Sequence, residues 1–199
     1  MYLGIDIGGT NIRIGAFEKS NPSELKGVSN FEVSQDFNLA IKNIIAQIKK
    51  STQGKKIYGI GVGAPGLINR KEGHIEKSAN LPKWQKKPIG KILEKEFNTE
   101  VKVENDVAVA ATGEALYGHG KSVSKFIYLI WGTGFGGAVV EKINGKLKIT
   151  SIEPGHQILD WNGIDCACGQ KGCLEPYIGG RATEKHYGKP LIKVNDEKT

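Results

Sequence analysis

A cysteine-rich stretch near the end of the chain restricts its fold more strongly than any other part of the sequence. It contains all three cysteines of the 199 residues and one of the four histidines, ten residues before the first cysteine. The four candidate ligands are His156, Cys166, Cys168 and Cys173. Three thiolates and one imidazole make a closed tetrahedral set, which suits structural zinc and leaves no open position for a catalytic water. The alternative is three buried or disulfide-forming cysteines with an unrelated histidine. The odd number of cysteines disfavours a disulfide framework.

Two carboxylates, Glu153 and Glu175, flank these ligands. A structural zinc ion contributes about 10–16 kcal/mol of apparent binding free energy, which is enough to hold a long irregular loop. Gly169 and Gly172 allow the tight turn that returns the third cysteine to the second. Closing the loop around the metal would bring both carboxylates to one place. We therefore expect zinc to shape a substrate-binding wall rather than to take part in the chemistry.

Composition and charge narrow the choice of partners. The net charge is +7, and the lysines occur as scattered pairs. Scattered pairs are typical of a solvated surface, so no nucleic-acid partner is expected. The longest apolar run, from Phe126 to Trp131, is far shorter than the roughly 18–20 residues that cross a bilayer, so no membrane association is expected. Met1 leads directly into a strand pattern without a basic leader, which favours a cytoplasmic location.

One pattern occurs twice in the chain: an apolar strand, a glycine-rich turn and a second apolar strand. The two copies read LGIDIGGTNIRIGAF and IYLIWGTGFGGAVVE. Two copies of one pattern indicate an α/β protein made of two related lobes with a cleft between them. We expect a small N-terminal lobe over residues 1–118 and a partial large lobe over residues 119–199.

The periodicity of the apolar residues predicts further elements around these copies. The expected elements are helices over 37–50, 88–97 and 107–117, strands over 57–62 and 101–104, and hairpins over 67–75 and 143–149. The second glycine turn is expected to cover 132–137.

Both glycine turns suit phosphate oxygens, because no Cβ atom blocks the approach to their backbone N–H groups. Thr10 and Thr133 add hydroxyl donors. The alternative is that both are simple hairpin turns. The G-x-G-x-x-G match over 132–137 does not predict a dinucleotide site, because a β-branched run rather than a helix follows it. Phosphates would therefore bind between two β-turns, one from each lobe.

The triplet Glu104-Asn105-Asp106 ends a predicted strand and opens a predicted helix. In open α/β sheets, ligands bind at the carboxyl ends of the strands. Asp106 could accept a hydroxyl proton there while the oxygen attacks phosphorus, and a positioned base contributes roughly 10²–10⁴-fold to such a rate. The alternative is that Asp106 is only the N-cap of the helix.

These motifs resemble those of the ROK family of sugar kinases and repressors. The stretch E-P-G-H followed by C-A-C-G-Q-K-G-C-L-E is similar to the zinc motif of that family, and the resemblance covers nearly the whole chain. It implies an actin-like, or ribonuclease H-like, two-lobed sugar kinase fold with a central cleft, here with the second lobe incomplete. It also implies a cytoplasmic ATP-dependent hexokinase, with glucose as the first candidate, that is a homodimer in its full-length form. The implied cofactors are structural Zn²⁺, and Mg²⁺ with ATP.

The resemblance also implies roles for individual residues. Asp106 would be the base that deprotonates the sugar 6-hydroxyl. The other sugar-binding residues would be Gly66, Asn80, Asn105, Glu153, His156 and Glu175. The residues facing the ATP phosphates and magnesium would be Asp6, Gly8, Gly9, Thr10, Asn11, Gly132, Thr133 and Gly134. His156 would use one ring nitrogen for zinc and the other for the sugar.

The chain departs from the family pattern in two places. Asn11 stands where many relatives carry lysine, so a positive charge beside the phosphates is missing. The chain also stops early, in a polar stretch from Lys189 to Thr199, whereas family members continue. We therefore expect this chain alone to be a poor kinase and a longer version to be active.

Two alternatives remain open. One is a sugar-sensing repressor without its DNA-binding module, because such repressors carry a helix-turn-helix before the kinase-like part and this chain begins at the first strand. The other is an inactive, zinc-stapled binding fragment. Intact Asp106 and intact glycine turns favour enzymatic ancestry over the second alternative. The motifs do not distinguish one hexose from another, nor ATP from polyphosphate.

Overall fold

The structure is a computed structural model and describes residues 1–19 and 24–188. The polar stretch from Lys189 to Thr199, on which the expectation of an early end rests, lies outside the described residues. The chain forms two compact units, the first from Met1 to Ala110 and the second from Ala111 onward. The lobe boundary expected after residue 118 stays a prediction.

The first unit is built on a mixed five-stranded sheet. The strands described in this unit are β1 (Tyr2–Ile7), β2 (Asn11–Phe17), β3 (Leu25–Glu32), β4 (Gly59–Ala64), β5 (Leu67–Asn69), β6 (His74–Lys77) and β7 (Val101–Asn105). The sheet has the order β3-β2-β1-β4-β7, in which β1, β4 and β7 run parallel. The carboxyl ends of these three strands therefore meet at one edge, where a ligand site is expected in an α/β sheet.

One predicted strand is shifted in the structure. The sequence pattern placed it over 57–62, whereas β4 covers Gly59–Ala64. The shift arises because Gly63 and Ala64 pair with Glu104 and Asn105 of β7, which extends the strand into the glycine-rich segment. Pairing between strands distant in sequence thus decides where this strand ends.

The core of the first unit lies between the sheet and its helices. Leu3, Ile5 and Ile7 alternate with exposed positions along β1 and are buried, as the two-residue period of a strand requires. The helix α1 (Phe37–Thr52) confirms the predicted helix and extends it by two residues. It begins at Asp36, whose carboxylate accepts hydrogen bonds from two backbone N–H groups of the first turn.

The first unit also contains a second helix, the first residues of a third helix and the predicted hairpin. The helix α2 (Ile89–Phe97) and the helix α3 (Asp106–Leu116) confirm the other two predicted helices. β5 and β6 form the predicted hairpin around residue 71. Gly66 opens this hairpin with a φ of +102°, and a Cβ there would lie 2.2 Å from the carbonyl oxygen of Lys77. Only glycine fits this close approach of two backbone segments.

The second unit contains a three-stranded antiparallel sheet of β8 (Lys125–Trp131), β9 (Phe135–Ile143) and β10 (Lys146–Ile152), with β9 in the centre. The turn between β9 and β10 is Asn144-Gly145, and both residues have positive φ, which confirms the predicted tight hairpin. The second glycine turn is shorter than the predicted 132–137, because β9 begins at Phe135 to pair with Trp131.

The cysteine-rich stretch follows β10 and is mostly irregular. It opens with a 3-10 turn over Pro154–His156 and ends at the short helix α4 (Glu175–Ile178), which is followed by α5 (Gly180–Tyr187). Isolated bridges join Ile158 to Cys173 and Asp165 to Lys171. Within residues 1–19 and 24–188, no helix is long and apolar enough to cross a membrane.

Candidate functional site

The predicted metal ligands come together in the second unit. His156, Cys166, Cys168 and Cys173 each offer one ligand atom, and these four atoms lie within 4.8 Å of one another. The sulfur atoms of Cys168 and Cys173 are 3.6 Å apart. A tetrahedral zinc ion with Zn–S bonds of about 2.3 Å requires a sulfur–sulfur separation of about 3.8 Å. The cluster therefore fits a structural zinc ion in both donor type and spacing.

The alternative of a disulfide does not fit the same geometry. All three cysteines are free, and the 3.6 Å between the sulfur atoms of Cys168 and Cys173 is well beyond a disulfide bond of about 2.05 Å. Burial raises the pKa of the Cys173 thiol to about 12, whereas a hydrogen bond from the backbone of Gln170 lowers the pKa of Cys168. A bound cation would supply the charge that stabilises all three thiolates.

Glycine backbone conformations close the loop around the cluster. Gly169 and Gly172 have φ of +95° and +68°, and the backbone N–H of Gly169 donates to the carbonyl oxygen of Cys166 at 3.0 Å. A Cβ at Gly172 would lie 1.5 Å from the carbonyl oxygen of Asp160, so the two backbone segments approach as closely as glycine permits. The predicted tight turn is confirmed, with both glycines in the left-handed region.

His156 is predicted to use one ring nitrogen for zinc and the other for the sugar, and its orientation shows which nitrogen faces the cluster. Its Nδ1 lies 3.6 Å from the sulfur of Cys166 and is therefore the ring nitrogen that faces the cluster. The ring is half-buried in the 3-10 turn that follows Glu153, whose side chain is exposed. A metal on Nδ1 would fix the tautomer of the ring and leave Nε2 for a hydrogen bond. Contact between Nε2 and a sugar stays a prediction.

Glu175 lies directly against the second glycine turn. Its Oε2 accepts a hydrogen bond of 2.8 Å from the backbone N–H of Phe135, and a Cβ at Gly134 would lie 2.3 Å from the same oxygen. The turn is also tied to α5, because the backbone N–H of Gly180 donates to the carbonyl oxygen of Gly132. The structure thus brings together a residue predicted for the sugar and a turn predicted for phosphate.

In the first unit, Asp106 is the first residue of α3 and is half-buried at the carboxyl end of β7. Burial raises the pKa of its carboxyl group, and the nearby carboxylate of Asp6 adds to the rise. The side chain of Asn105, not that of Asp106, accepts the capping hydrogen bond from the backbone N–H of Ala108, at 3.1 Å. The interpretation of Asp106 as the N-cap is therefore wrong, because its neighbour holds that role.

The first glycine turn lies at the same edge of the sheet. It is closed by a hydrogen bond of 2.8 Å from the backbone N–H of Gly8 to the carbonyl oxygen of Asn11. Gly9 packs against the side chain of Asn80, where a Cβ would come within 3.3 Å. A residue predicted for the sugar therefore lies against the turn predicted for phosphate, in this unit as in the second. The phosphate and sugar contacts of these residues stay predictions.

Two arginines were missed by the sequence analysis. Arg13 lies opposite Asp6 in the register of β1 and β2, and their charged groups are 3.6 Å apart. It brings a positive charge to β2, the strand that begins at Asn11. Arg70 lies in the hairpin and donates to both carboxylate oxygens of Glu104. Arg70 and Glu104 are 34 positions apart, and a contact between residues so distant in sequence leaves no periodic signal, so only the fold reveals it.

The chain combines an α/β sheet, two glycine turns and a Cys₃His loop, and proteins with known functions resemble it in sequence and in fold. The chain belongs to the ROK family, whose sequence model matches residues 2–199. A solved structure of a ROK family glucokinase from Streptomyces griseus, in complex with glucose and AMPPNP, superposes with a TM-score of 0.77 and 29% identity, over 92% of this chain and 59% of that one. The predicted α/β fold of ROK sugar kinases is thereby confirmed.

Two curated relatives differ in what they do. The glucokinase of Thermotoga maritima is 31% identical over 186 residues, which are 92% of this chain and 58% of that protein. The xylose repressor of Caldicellulosiruptor bescii is 31% identical over 189 residues, which are 90% of this chain and 47% of that protein. The chain therefore spans about half to three fifths of the length of the curated relatives compared here.

Proposed function

We propose that this chain is part of an ATP-dependent sugar kinase that phosphorylates a hexose, with glucose as the first candidate, at its 6-hydroxyl. The observation that carries the proposal is the state of Asp106. Its carboxylate lies at the carboxyl ends of the three parallel strands of the sheet and is half-buried with a raised pKa, while Asn105 caps the helix in its place. Raised carboxyl pKa values at such edges are typical of groups that exchange protons with a ligand.

In the proposed mechanism, Asp106 accepts the proton of the sugar hydroxyl while that oxygen forms a bond to the γ-phosphorus of ATP. The bond from this phosphorus to the bridging oxygen breaks, and ADP leaves with the electron pair. Phosphoryl transfer passes through a loose transition state, so positioning and charge stabilisation supply most of the acceleration. Asp6 would face the magnesium ion that accompanies ATP, and that ion would supply positive charge to neutralise the phosphates. Backbone N–H groups of the two glycine turns, other than those that close the turns, would hold the phosphate oxygens.

The residues proposed to hold the sugar are Gly66, Asn80, Asn105, Glu153, His156 and Glu175. Bound zinc would keep the cysteine-rich loop closed, so that His156 presents Nε2 in a fixed orientation. We further infer a cytoplasmic enzyme that forms homodimers in its full-length form.

The test is a screen of sugars and phosphoryl donors with the complete gene product, read by coupled ADP formation. Glucose, N-acetylglucosamine, N-acetylmannosamine, mannose and fructose are the sugars, and ATP and polyphosphate the donors. We expect turnover with at least one hexose and ATP. The variant Asp106→Asn should lose roughly 10²–10⁴-fold in kcat while its sugar affinity stays nearly unchanged. An equal loss of sugar affinity and of kcat would contradict the base role.

A repressor is the second candidate, because the xylose repressor is as similar to this chain as the glucokinase is. Such a protein would bind DNA and release it with a sugar, without consuming ATP. Retardation of a specific promoter fragment in a gel-shift assay, reversed by sugar, would support this function. We expect no specific retardation by this chain, together with sugar-dependent ADP formation by the complete gene product.

A further inference from the structure

Four residues around the strand–helix junction of the first unit are joined by a chain of hydrogen bonds. We call this set the junction network, and its members are Gly66, Arg70, Glu104 and Asn105. Gly66 and Arg70 belong to the hairpin segment, whereas Glu104 and Asn105 are the last two residues of β7, directly before Asp106. The contact between Arg70 and Glu104 joins residues 34 positions apart in the sequence.

The carboxylate of Glu104 is the centre of the junction network. Its Oε1 accepts a hydrogen bond of 2.7 Å from the backbone N–H of Asn105 and one of 3.0 Å from Nη2 of Arg70. Its Oε2 accepts from Nε of Arg70. The arginine therefore binds through two parallel N–H groups, which is the arrangement that fixes geometry as well as charge. One carboxylate thus joins the hairpin to the backbone of the junction.

The side chain of Asn105 closes the network from the other side. Its Oδ1 accepts from the backbone N–H of Ala108 and caps α3, while its Nδ2 donates to the carbonyl oxygen of Gly66 at 3.1 Å. The same residue therefore orients the first turn of α3 and holds the start of the hairpin. Hydrogen bonds therefore connect the hairpin directly to the residue that precedes Asp106.

We propose that Arg70 is a positioning residue, which fixes the junction that carries Asp106 against the loop that begins at Gly66. The proposal rests on the proposed function, in which Asp106 is the base and Gly66 lies at the sugar. Isolated ion pairs on a surface contribute little to stability, but a bidentate pair with a half-buried carboxylate restricts the orientation of both partners. The effect of Arg70 should therefore appear in catalysis more than in folding.

The experiment compares three variants of the complete gene product: Arg70→Met, Arg70→Lys and the control Lys71→Met. Lys71 is the exposed neighbour in the same turn, so the control removes the same charge without touching the network. For Arg70→Met we expect kcat to fall about tenfold and the KM for the sugar to rise severalfold, since a displacement of about 1 Å costs up to 10²-fold. The KM for ATP should stay unchanged. Arg70→Lys keeps the positive charge but loses the two parallel N–H donors of the guanidinium. Its kcat and its KM for the sugar should therefore lie between those of wild type and Arg70→Met.

A second measurement does not depend on activity. Hydrogen exchange of the backbone amides of Asn105 and Ala108 should be faster in Arg70→Met than in Lys71→Met, while exchange within α1 stays the same. The double variant Arg70→Met/Glu104→Gln should be no worse than Arg70→Met alone, because both changes break one unit.

The outcomes separate the positioning role from the proposed function. If wild type phosphorylates no sugar of the panel, the proposed function fails and the exchange data alone decide whether Arg70 fixes the junction. If Arg70→Met lowers only the fraction of folded protein and leaves the KM for the sugar and the amide exchange unchanged, the positioning role is wrong. Additive losses in the double variant would overturn it as well.

Discussion

At the scale of single residues, the proposed role of Asp106 requires the ionised carboxylate, whereas its surroundings favour the protonated one. As the proposed general base, Asp106 must be ionised before it can accept a proton, yet partial burial and the neighbouring Asp6 favour its protonated form. The ionised carboxylate at this position therefore opposes folding. Strain or desolvation that is retained at one residue is typical of functional sites, where stability is lost in exchange for reactivity.

The first prediction concerns the pH dependence of the proposed reaction. Because the pKa of Asp106 is raised, the acid limb of kcat/KM should lie above the range of an ordinary aspartate near 3.9. Activity should therefore increase with pH through that raised value and then level off. A pH–rate profile of kcat/KM for the sugar measures it. An acid limb at or below pH 4 would contradict the assignment of Asp106 as the base.

The second prediction is that Asp106→Asn stabilises the protein at neutral pH while it removes activity. Between the ordinary and the raised pKa, the folded state binds more protons than the unfolded state, so the free energy of unfolding decreases as pH rises through this window. The amide removes this loss and keeps an oxygen that can accept the hydrogen bond from the backbone N–H of Val107. Thermal unfolding at several pH values should show a gain above the window and none below it.

The control for this second prediction is Glu100→Gln, an exposed carboxylate of the same unit. It removes one negative charge without removing a buried carboxylate, so it should bring no comparable gain in the free energy of unfolding. A destabilised Asp106→Asn variant, or a gain that is independent of pH, would show that burial of the carboxylate is not the cause.

At the scale of elements, α3 depends on one side chain for its start. Asn105 offers an acceptor to α3 and a donor to Gly66. Asn105→Ala removes both and should lower the free energy of unfolding by about 1–2 kcal/mol. Asn105→Ser keeps an oxygen that can cap the helix and should lose less. Urea unfolding of the three proteins gives the comparison, and equal losses in both variants would exclude a capping contribution.

The cysteine-rich loop depends on one close backbone approach. Gly172→Ala would place a Cβ 1.5 Å from the carbonyl oxygen of Asp160, so the loop cannot close as it does in the structure. We expect this variant to lose most of its bound zinc. Gly169 also has a positive φ but faces open space, so Gly169→Ala should carry only the backbone strain of about 1–2 kcal/mol and keep the metal. Metal analysis of both proteins, each purified in the same way, distinguishes them; zinc at full occupancy in Gly172→Ala would contradict the argument.

The elements also show how far the sequence determines the fold. Helices α1 to α3 and the Asn144-Gly145 hairpin were predicted because their signals are local: apolar spacing, caps and turn residues. The shifted β4 and the shortened second glycine turn were missed because strand pairing over long separations sets their ends. The four metal ligands were predicted because three of them lie within one turn-rich stretch, and the structure places all four together. The pair of Arg70 with Glu104 has no local signal at all.

At the scale of the whole molecule, each compact unit has its own source of stability. The first unit has a continuous apolar core that includes Ile5, Ile44 and Leu93. The second unit holds the cysteine-rich loop, which is irregular over most of its length and in which Trp161 is 80% exposed. Backbone hydrogen bonds connect parts of this loop, and a metal ion on the Cys₃His cluster would add a further source of order.

Removal of the metal should therefore loosen the cysteine-rich loop of the second unit and leave the order of the first unit unchanged. After treatment with a strong chelator, backbone amides over residues 153–175 should exchange much faster, whereas those of β1 and α1 should keep their protection, because their apolar core needs no metal. Sugar binding, measured by calorimetry on the complete gene product, should be abolished at the same time and restored by added zinc. Magnesium added instead of zinc serves as the control, since hard cations bind thiolates poorly. Stripped protein that bound its sugar normally would show that the loop is held by its own contacts, and the cysteines would then have no part in shaping the site.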